Sequence, residues 1–544
     1  MGTHVGVDIG TSSIRVTYNS TTTTTTTKSQ PIRINKSKFI TQSSLEIYES
    51  LLQLLPPHHS SFDSIAISAT CSTVITKKIN GFLHPFNLDP KGTASDVLLW
   101  MDNSAIQETQ VLNSLDTPEI SHARAQLGGN FISELGLPKL KMIQNTYPEE
   151  VHNLVCFELY DWISYMLKYG VVDGRVECHS LDIVESHSYA TDGSIKGWSK
   201  NLLKEAGISL EIGGVNSING SIGEPIGMVH GTNAVIGHGC IDCYAGWINS
   251  LSSQSQEDSN SCFMVAGTST CFIYNSKQKS FHDGMWGPYN LTKPGHYVYE
   301  FGQPATGKLY ERLFTKHGIS PNNYASTFAT LEKQTAEVEK SSCPGIHQLL
   351  KGYFYYGDVY GNRTPYQDGA MSESIIDNPN GPFGPIINNN NTTTADALLA
   401  EYNLIMEFLA FQTRHLIEPL GVDTLVISGS QAKNARFVQL VADLCDVEVR
   451  VMSVDCCVGA AKLGHVAQLC HEGWTYENAF DNVTRGDCSQ EEEKEKEKEV
   501  VFTPRGGGSK GSAISESELS LLLVKYQIYL DMADRQRQYR DMMG

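Results

Sequence analysis

Residues 4–20 read His4-Val5-Gly6-Val7-Asp8-Ile9-Gly10-Thr11-Ser12-Ser13-Ile14-Arg15-Val16-Thr17-Tyr18-Asn19-Ser20: an apolar strand, a turn of small residues, and a second strand. The pattern returns at Gly267-Thr268-Ser269-Thr270-Cys271-Phe272-Ile273-Tyr274-Asn275-Ser276, after the apolar run Cys262 to Ala266. Two such turns in opposite halves of a chain predict two related domains, each presenting a phosphate-binding hairpin to a shared cleft. Elsewhere, buried-strand patterns (Ser64 to Ala69, Thr424 to Ser428) alternate with amphipathic helical patterns (Leu398 to Leu416, Asn434 to Leu444). That alternation is α/β architecture.

A Gly-Thr-Ser turn suits a phosphate chain. Glycine lets the backbone come close, while the hydroxyls and successive N–H groups donate to phosphate oxygens. Thr11 and Ser12 are placed for this, and Asp8, at the strand end, is placed to hold a magnesium ion bridging phosphates. An Asx-type turn in an ordinary hairpin is the alternative. A second carboxylate, Asp242, follows an apolar strand in Gly237-His238-Gly239-Cys240-Ile241-Asp242-Cys243-Tyr244-Ala245-Gly246. It could accept the proton of an attacking hydroxyl, or serve as the N-cap of the next helix. Cys240-x-x-Cys243 has the spacing of half a zinc site or a redox pair, but no second pair with ligand spacing follows. Ile427-Ser428-Gly429-Ser430-Gln431-Ala432-Lys433-Asn434 could bind a nucleobase or ribose against a helix N-terminus.

Taken in order, Asp8-Ile9-Gly10-Thr11-Ser12, Trp100-Met101-Asp102, Asp242-x-x-Ala245-Gly246, Ala266-Gly267-Thr268-Ser269-Thr270, Gly302-Gln303-Pro304-Ala305-Thr306-Gly307 and Ser428 to Asn434 resemble the motifs of the FGGY carbohydrate kinases, the ribulokinase-like branch above all. Ala69-Thr70-Cys71-Ser72, Trp286-Gly287-Pro288-Tyr289, Gly361-Asn362-Arg363-Thr364-Pro365 and the ending Gln536 to Met542 extend the likeness over nearly the whole chain. The resemblance implies two ribonuclease-H-like domains of the actin and hexokinase type, 1–246 and 247–544, with ATP and sugar meeting between them. It implies Asp242 as catalytic base and Asp8 as the magnesium residue. Thr11, Ser12, Gly267, Thr268 and Gly307 would hold phosphates, with Arg15 neutralising their charge or lying on a surface strand. Gly429, Ser430 and Asn434 would line the adenosine site. Thr70, Cys71, Ser72, Trp100, Asp102 and Glu300 would face the sugar. The implied activity is ATP- and magnesium-dependent phosphorylation of a ketopentose, ribulose first. A kinase for another ketose or polyol such as xylulose or glycerol, and a catalytically weak regulatory relative, are the alternatives.

The chain departs from the family pattern at several points. Ser104 stands where relatives carry Arg, removing a bidentate donor. The family's Lys–Trp pair has no counterpart around Val184 to His187. Gly429-Ser430 replaces paired glycines, Phe301-Gly302-Gln303-Pro304 replaces Gly-Gly-Gln-Ser, and Met142 replaces a Trp. These changes bear on the sugar more than on the reaction.

Composition sets outer bounds. At 544 residues the chain has room for two to four domains. A net charge of −19 disfavours nucleic acid or an anionic membrane as partner. Thirteen irregularly spaced cysteines and no apolar run of membrane length predict a reduced, cytoplasmic protein. A homodimer is left open. Thr21 to Thr27 is expected as a lengthened hairpin loop. Asn388 to Thr394 and Glu491 to Glu499, the latter leading into Arg505-Gly506-Gly507-Gly508, are expected as solvated insertions.

Overall fold

The structure, a computed structural model, describes residues 2–20, 23–56, 62–89, 95–179, 192–215, 220–251, 260–341, 345–386, 395–485, 500–506 and 514–543. The stretch Val184 to His187 and the insertions Asn388 to Thr394 and Glu491 to Glu499 lie outside these residues. Two compact units form. The first takes Met1–Gln254, Ile273–Glu300 and Val454–Glu497, and the second Ser255–Phe272, Phe301–Ser453 and Lys498–Gly544. The expected division at 246/247 thus falls inside the helix Asp242–Ser250. Two later segments, 273–300 and 454–497, fold with the N-terminal part of the chain.

The first unit is built on a six-stranded sheet in the order Pro225–Met228, Val235–Ile241, Ser64–Ala69, Thr3–Ile9, Ser13–Ser20, Thr23–Pro31. The three central strands are parallel, and the two meander strands that follow Thr3–Ile9 are antiparallel. Central strands covered on both faces need continuous apolar runs. Ser64–Ala69 and Val235–Ile241 are accordingly buried at every position. Most of the threonine run is strand rather than loop: Thr23–Pro31 pairs with Ser13–Ser20, with Thr17 opposite Thr27 and their hydroxyls 2.7 Å apart. Threonine is β-branched and fits a pleated edge, a propensity that outweighs the low complexity of the run. A second sheet in the same unit runs Val176–Glu177, Phe82–Pro85, Thr73–Ile79, Val97–Leu98, Ile40–Gln42, Asn35–Lys36, with Leu154–Glu158 also paired to Thr73–Ile79.

The segment 454–497 returns to this unit because the helix Cys456–His471 has a face of small residues. Its backbone lies directly on the central strands. A Cβ on Gly6 would fall 1.7 Å from the Cys457 carbonyl oxygen, and one on Gly237 would fall 2.9 Å from that of Leu463. On the helix itself, a Cβ on Gly459 would come within 1.8 Å of the Ala245 oxygen, in the helix Asp242–Ser250. Glycine in a strand interior costs stability, so its use here marks a close backbone approach.

In the second unit, Ser261–Ala266, Thr424–Ser428 and Glu448–Val451 are parallel neighbours, and Val500–Phe502 closes their edge antiparallel. The helices expected at 398–416 and 434–444 are Ala395–Ile417 and Ala435–Cys445. Inside, Glu407 is buried between Lys525 and His347 Nδ1, the latter at 2.8 Å. Those partners outweigh burial and hold its carboxyl below the usual range. Lys525 thereby ties the long C-terminal helix Glu516–Met543 to the unit's core, and Arg540, in the ending singled out by resemblance, pairs with Asp368.

Replacing Gly459 by alanine forces a methyl group into the Ala245 carbonyl. Overpacking of this kind costs about 1–3 kcal/mol or more. Thermal unfolding of Gly459→Ala should shift down by several degrees. An unchanged melting curve would contradict the tight contact.

Candidate active site

Asp8 and Asp242 sit at the same edge of the first unit's sheet. In the ladder, Asp8 and Cys240 both pair with Ser68, from opposite sides. Strands about 4.8 Å apart therefore place the two carboxylate-bearing strand ends about 10 Å apart along one row. This is the carboxyl end of a set of parallel strands, where α/β folds place ligands. The register shifts between Gly237 and Cys240. A bulge of that type re-aims the residues that follow it.

Asp8 is buried. Its Oδ2 takes Arg15 Nη2 at 2.5 Å and Nε at 3.1 Å, and its Oδ1 accepts from Ser68 Oγ at 3.1 Å. Burial pushes its carboxyl above the ordinary range, and Arg15 and Ser68 pull it back in part. An Asx turn would have turned this side chain onto its own backbone. Instead the hairpin is closed by Gly10 N–H donating to the Ser13 oxygen at 2.9 Å, and the carboxylate is left to the site. Arg15 also lies 3.7 Å from Asp455, whose side chain caps the helix Cys456–His471 by accepting from Cys457 N–H at 2.9 Å. Arg15 is thus a positioned site residue between two carboxylates.

Asp242 is half-buried in the first turn of Asp242–Ser250. The capping position belongs to Ile241, which makes no side-chain cap, so Asp242 is not the N-cap that spacing alone allows. Its Oδ1 accepts from Cys243 N–H at 2.8 Å. Burial, then the negative charge of Asp8, with a smaller push from Glu300, raise its carboxyl to about 7. That value is what a base working near neutral pH needs. Among the described residues Cys240 and Cys243 form no disulfide, and burial pushes the Cys240 thiol well above its usual range.

The residues expected to face a sugar gather beside the first turn. Trp100 Nε1 donates to Thr11 Oγ1 at 3.0 Å, Trp100 N–H donates to Ser72 Oγ at 3.2 Å, and Ser72 Oγ is 3.0 Å from Thr70 Oγ1. Thr70 N–H returns to the Ile9 oxygen, fixing this segment to the first strand. Cys71 is half-buried between them. Asp102 is buried and spent on backbone, accepting from Ile40 N–H at 2.7 Å and Ser104 N–H at 3.0 Å. It shapes the Trp100 loop rather than offering a free carboxylate. Glu300 accepts from Tyr244 Oη at 2.8 Å. Lys139, which sequence reading passed over, is buried and donates to the Leu99 and Trp100 oxygens at 2.9 and 2.8 Å. Burial lowers its ammonium to about 8.

In the second unit the matching turn is closed by Gly267 N–H to the Ser269 oxygen at 2.9 Å. The helix Gly307–Lys316 starts against it. Thr306 and Gly307 N–H donate to the Thr268 and Gly267 oxygens at 2.9 and 3.0 Å, bringing Gly267, Thr268 and Gly307 together. Gly429 has φ +95°, and a Cβ there would fall 2.5 Å from the Ala266 oxygen, so only glycine fits next to this strand. Ser430 is exposed. Asn434 caps Ala435–Cys445 through Arg436 and Phe437 N–H, and its amide donates to Glu332 and Tyr402 Oη, each at 3.0 Å.

The expected residues therefore assemble as two sets, Asp8, Thr11, Arg15, Thr70 to Ser72, Trp100, Asp242 and Glu300 in one unit and Gly267, Thr268, Gly307, Gly429 in the other. Ser68, Lys139, Asp455 and Tyr244 were missed. A lysine within an apolar helical face (Leu137, Leu140, Ile143) was the readable sign for Lys139; the others depend on strand register and on the return of 454–497.

Residues 262–468 match the C-terminal domain of the FGGY family of carbohydrate kinases. Protein MPA43 of Saccharomyces cerevisiae is 31% identical over 568 residues, covering 99% of this chain and 97% of its own. A D-ribulokinase of the same yeast is 28% identical, covering 85% of this chain and 72% of its own. Among solved structures, a xylulose kinase of Rhodospirillum rubrum superposes with a TM-score of 0.68 at 15% identity, over 99% of both chains. The two-domain α/β fold of actin and hexokinase type is thus the fold of this chain. With identity of that level running end to end, and with the strand-end carboxylates and paired turns in place, the chain belongs to the FGGY family of carbohydrate kinases.

Proposed function

We propose that the chain transfers the γ-phosphate of ATP to a hydroxyl of a ketopentose, with ribulose the leading acceptor. One observation carries the chemistry: a half-buried carboxyl, Asp242, raised to about 7 at the strand edge it shares with Asp8. The similarity to a yeast D-ribulokinase supports the choice of sugar.

In this reading the sugar hydroxyl gives its proton to Asp242 as its oxygen attacks the γ-phosphorus. The bond from the γ-phosphorus to the bridging oxygen breaks, and ADP leaves with that electron pair. Positioning and charge stabilisation supply most of the rate in such reactions. Thr11, Ser12 and Arg15 in the first unit, and Gly267, Thr268 and Gly307 in the second, hold phosphates. Gly429 and Ser430 line the adenosine, with Asn434 positioning that loop as a cap. Asp8 is the residue that would serve a magnesium ion. The donor set fits, being hard carboxylate oxygen whose negative charge Arg15 offsets only in part. When bound, the ion would neutralise phosphate charge.

Asp242→Asn should lower kcat by about 10²–10⁴ while ATP binding persists. It should also raise the melting temperature at pH 8. The folded carboxyl titrates near 7 and the unfolded one near 3.8, so the folded state loses stability as pH rises between them, and the amide removes that penalty. Coupled assay of ADP release and a thermal melt read both effects. Normal turnover in the variant would remove Asp242 from its role, and failure of every ketopentose and polyol to stimulate ADP release would remove the activity.

The pH profile offers a second check. Activity should fall below about pH 7 as Asp242 gains a proton. Glu300 pushes that carboxyl upward, so in Glu300→Gln the acidic limb of kcat/KM should move to lower pH. A limb that stays in place would separate the two groups.

A further inference from the structure

An indole N–H can donate a hydrogen bond and cannot accept one. Chemistry therefore settles the direction of the 3.0 Å contact between Trp100 Nε1 and Thr11 Oγ1: the indole donates and the hydroxyl accepts. A threonine hydroxyl also carries one proton of its own. Among the described residues that proton meets no acceptor. It is not shut away in the core. Thr11 is half-buried and Ser12 beside it is exposed, in the turn that follows the strand Thr3–Ile9.

Both partners are held in place. The Thr11 carbonyl accepts from Gln42 Nε2 at 2.7 Å, and the Ser12 carbonyl accepts from Ile32 N–H at 2.9 Å. Trp100 is fixed through its backbone. Its N–H donates to Ser72 Oγ at 3.2 Å, and its carbonyl accepts from Lys139 Nζ at 2.8 Å. The same buried ammonium takes the preceding Leu99 carbonyl at 2.9 Å, so the peptide from which the indole projects is clamped by a charge-assisted pair of bonds. Ser72 follows the strand Ser64–Ala69, which lies parallel to Thr3–Ile9. Trp100 thus bridges the loops that leave two neighbouring strands, one expected to face the sugar and the other the phosphates.

We propose that Trp100 is a positioning residue for the nucleotide: its indole N–H occupies a lone pair of the Thr11 hydroxyl and turns that hydroxyl's own proton outward, as a donor to a phosphate oxygen. Phosphate oxygens accept hydrogen bonds, so a hydroxyl serves them only when its proton points their way. With the indole donating, the Thr11 proton cannot turn back towards Trp100, and donation into the oxygen strengthens the bond it makes in turn. A residue on the acceptor side thereby sets the donor direction on the phosphate side. This rests on the kinase reading above but concerns nucleotide binding alone.

The test is a double-mutant cycle in the full-length chain, read as the Kd of ATP with magnesium by calorimetry in the absence of sugar, with thermal melts and ADP release alongside. Thr11→Val removes the hydroxyl and keeps the shape. It should raise the ATP Kd about ten- to hundredfold, the loss of one hydrogen bond to a charged group. Trp100→Phe keeps a ring and removes the N–H, and should raise the ATP Kd about three- to tenfold. The double variant should bind no more weakly than Thr11→Val, because without the hydroxyl the indole has nothing to orient. A strut that merely ties two loops together would lower the melting temperature of Trp100→Phe and leave its ATP Kd alone. Should that variant not fold, the indole resonances carry the same test: the one of the six that Thr11→Val displaces should move when ATP is added to the unsubstituted chain. The proposal is overturned if folded Trp100→Phe binds ATP as tightly as the unsubstituted chain, if the two losses add, if that resonance ignores ATP, or if no ATP binds. A non-additive cycle with no ADP release for any ketopentose or polyol would instead uphold the positioning role and refute the kinase activity.

Discussion

Negative charge held at the ends of two parallel strands, either side of a third, is the constraint on which the rest of this molecule turns. Asp8 and Asp242 flank the strand that ends at Ala69, and Glu300 adds its field to Asp242. Within reach of Asp8 and Asp455 one guanidinium, Arg15, offsets part of that charge. An arrangement so short of positive charge is poor for stability. Burial first, and then the same imbalance, lifts the Asp242 carboxyl to about 7.

Such a cluster needs a scaffold that cannot relax away from it, and glycine supplies that. The helix Cys456–His471 lies close enough to the sheet that Gly6 has no room for a methyl group, and Gly459 in turn meets the helix that begins with Asp242. Sheet, capping helix and the helix that begins with Asp242 are therefore locked through backbone contacts, which leave little slack. Asp455 links this packing to the charge balance, since the carboxylate that caps the helix also approaches Arg15. A chain segment more than 400 residues from the N-terminus completes the surroundings of Asp8.

The division of information between sequence and structure follows from the range of each interaction. Strand and helix spans such as Ser64–Ala69, Thr424–Ser428 and Ala395–Ile417 were legible because hydrophobic period is local. The two Gly-Thr-Ser turns were legible because a tight turn is written in its own few residues. Long-range pairing was not. That 273–300 and 454–497 fold with the first unit depends on which surface a small-residue helix or a hairpin covers, and no local pattern states it. For the same reason Asp102 read as a sugar residue and proves to hold backbone N–H groups, while Asn434 proves to be a helix cap. Side-chain type points to a hydrogen-bond partner where that partner is a neighbour in sequence, and not where it comes from another element.

The acceptor end of the site shows this limit most sharply. Ser104, Met142 and the Val184 to His187 stretch depart from the family pattern, and departures on the sugar side suggested only that the substrate had changed. Phosphate-binding turns contact their ligand largely through backbone groups, so they constrain sequence tightly and are easily read. Hydroxyl recognition can be met by many side-chain combinations from many elements, so the acceptor is encoded in packing rather than in any contiguous stretch.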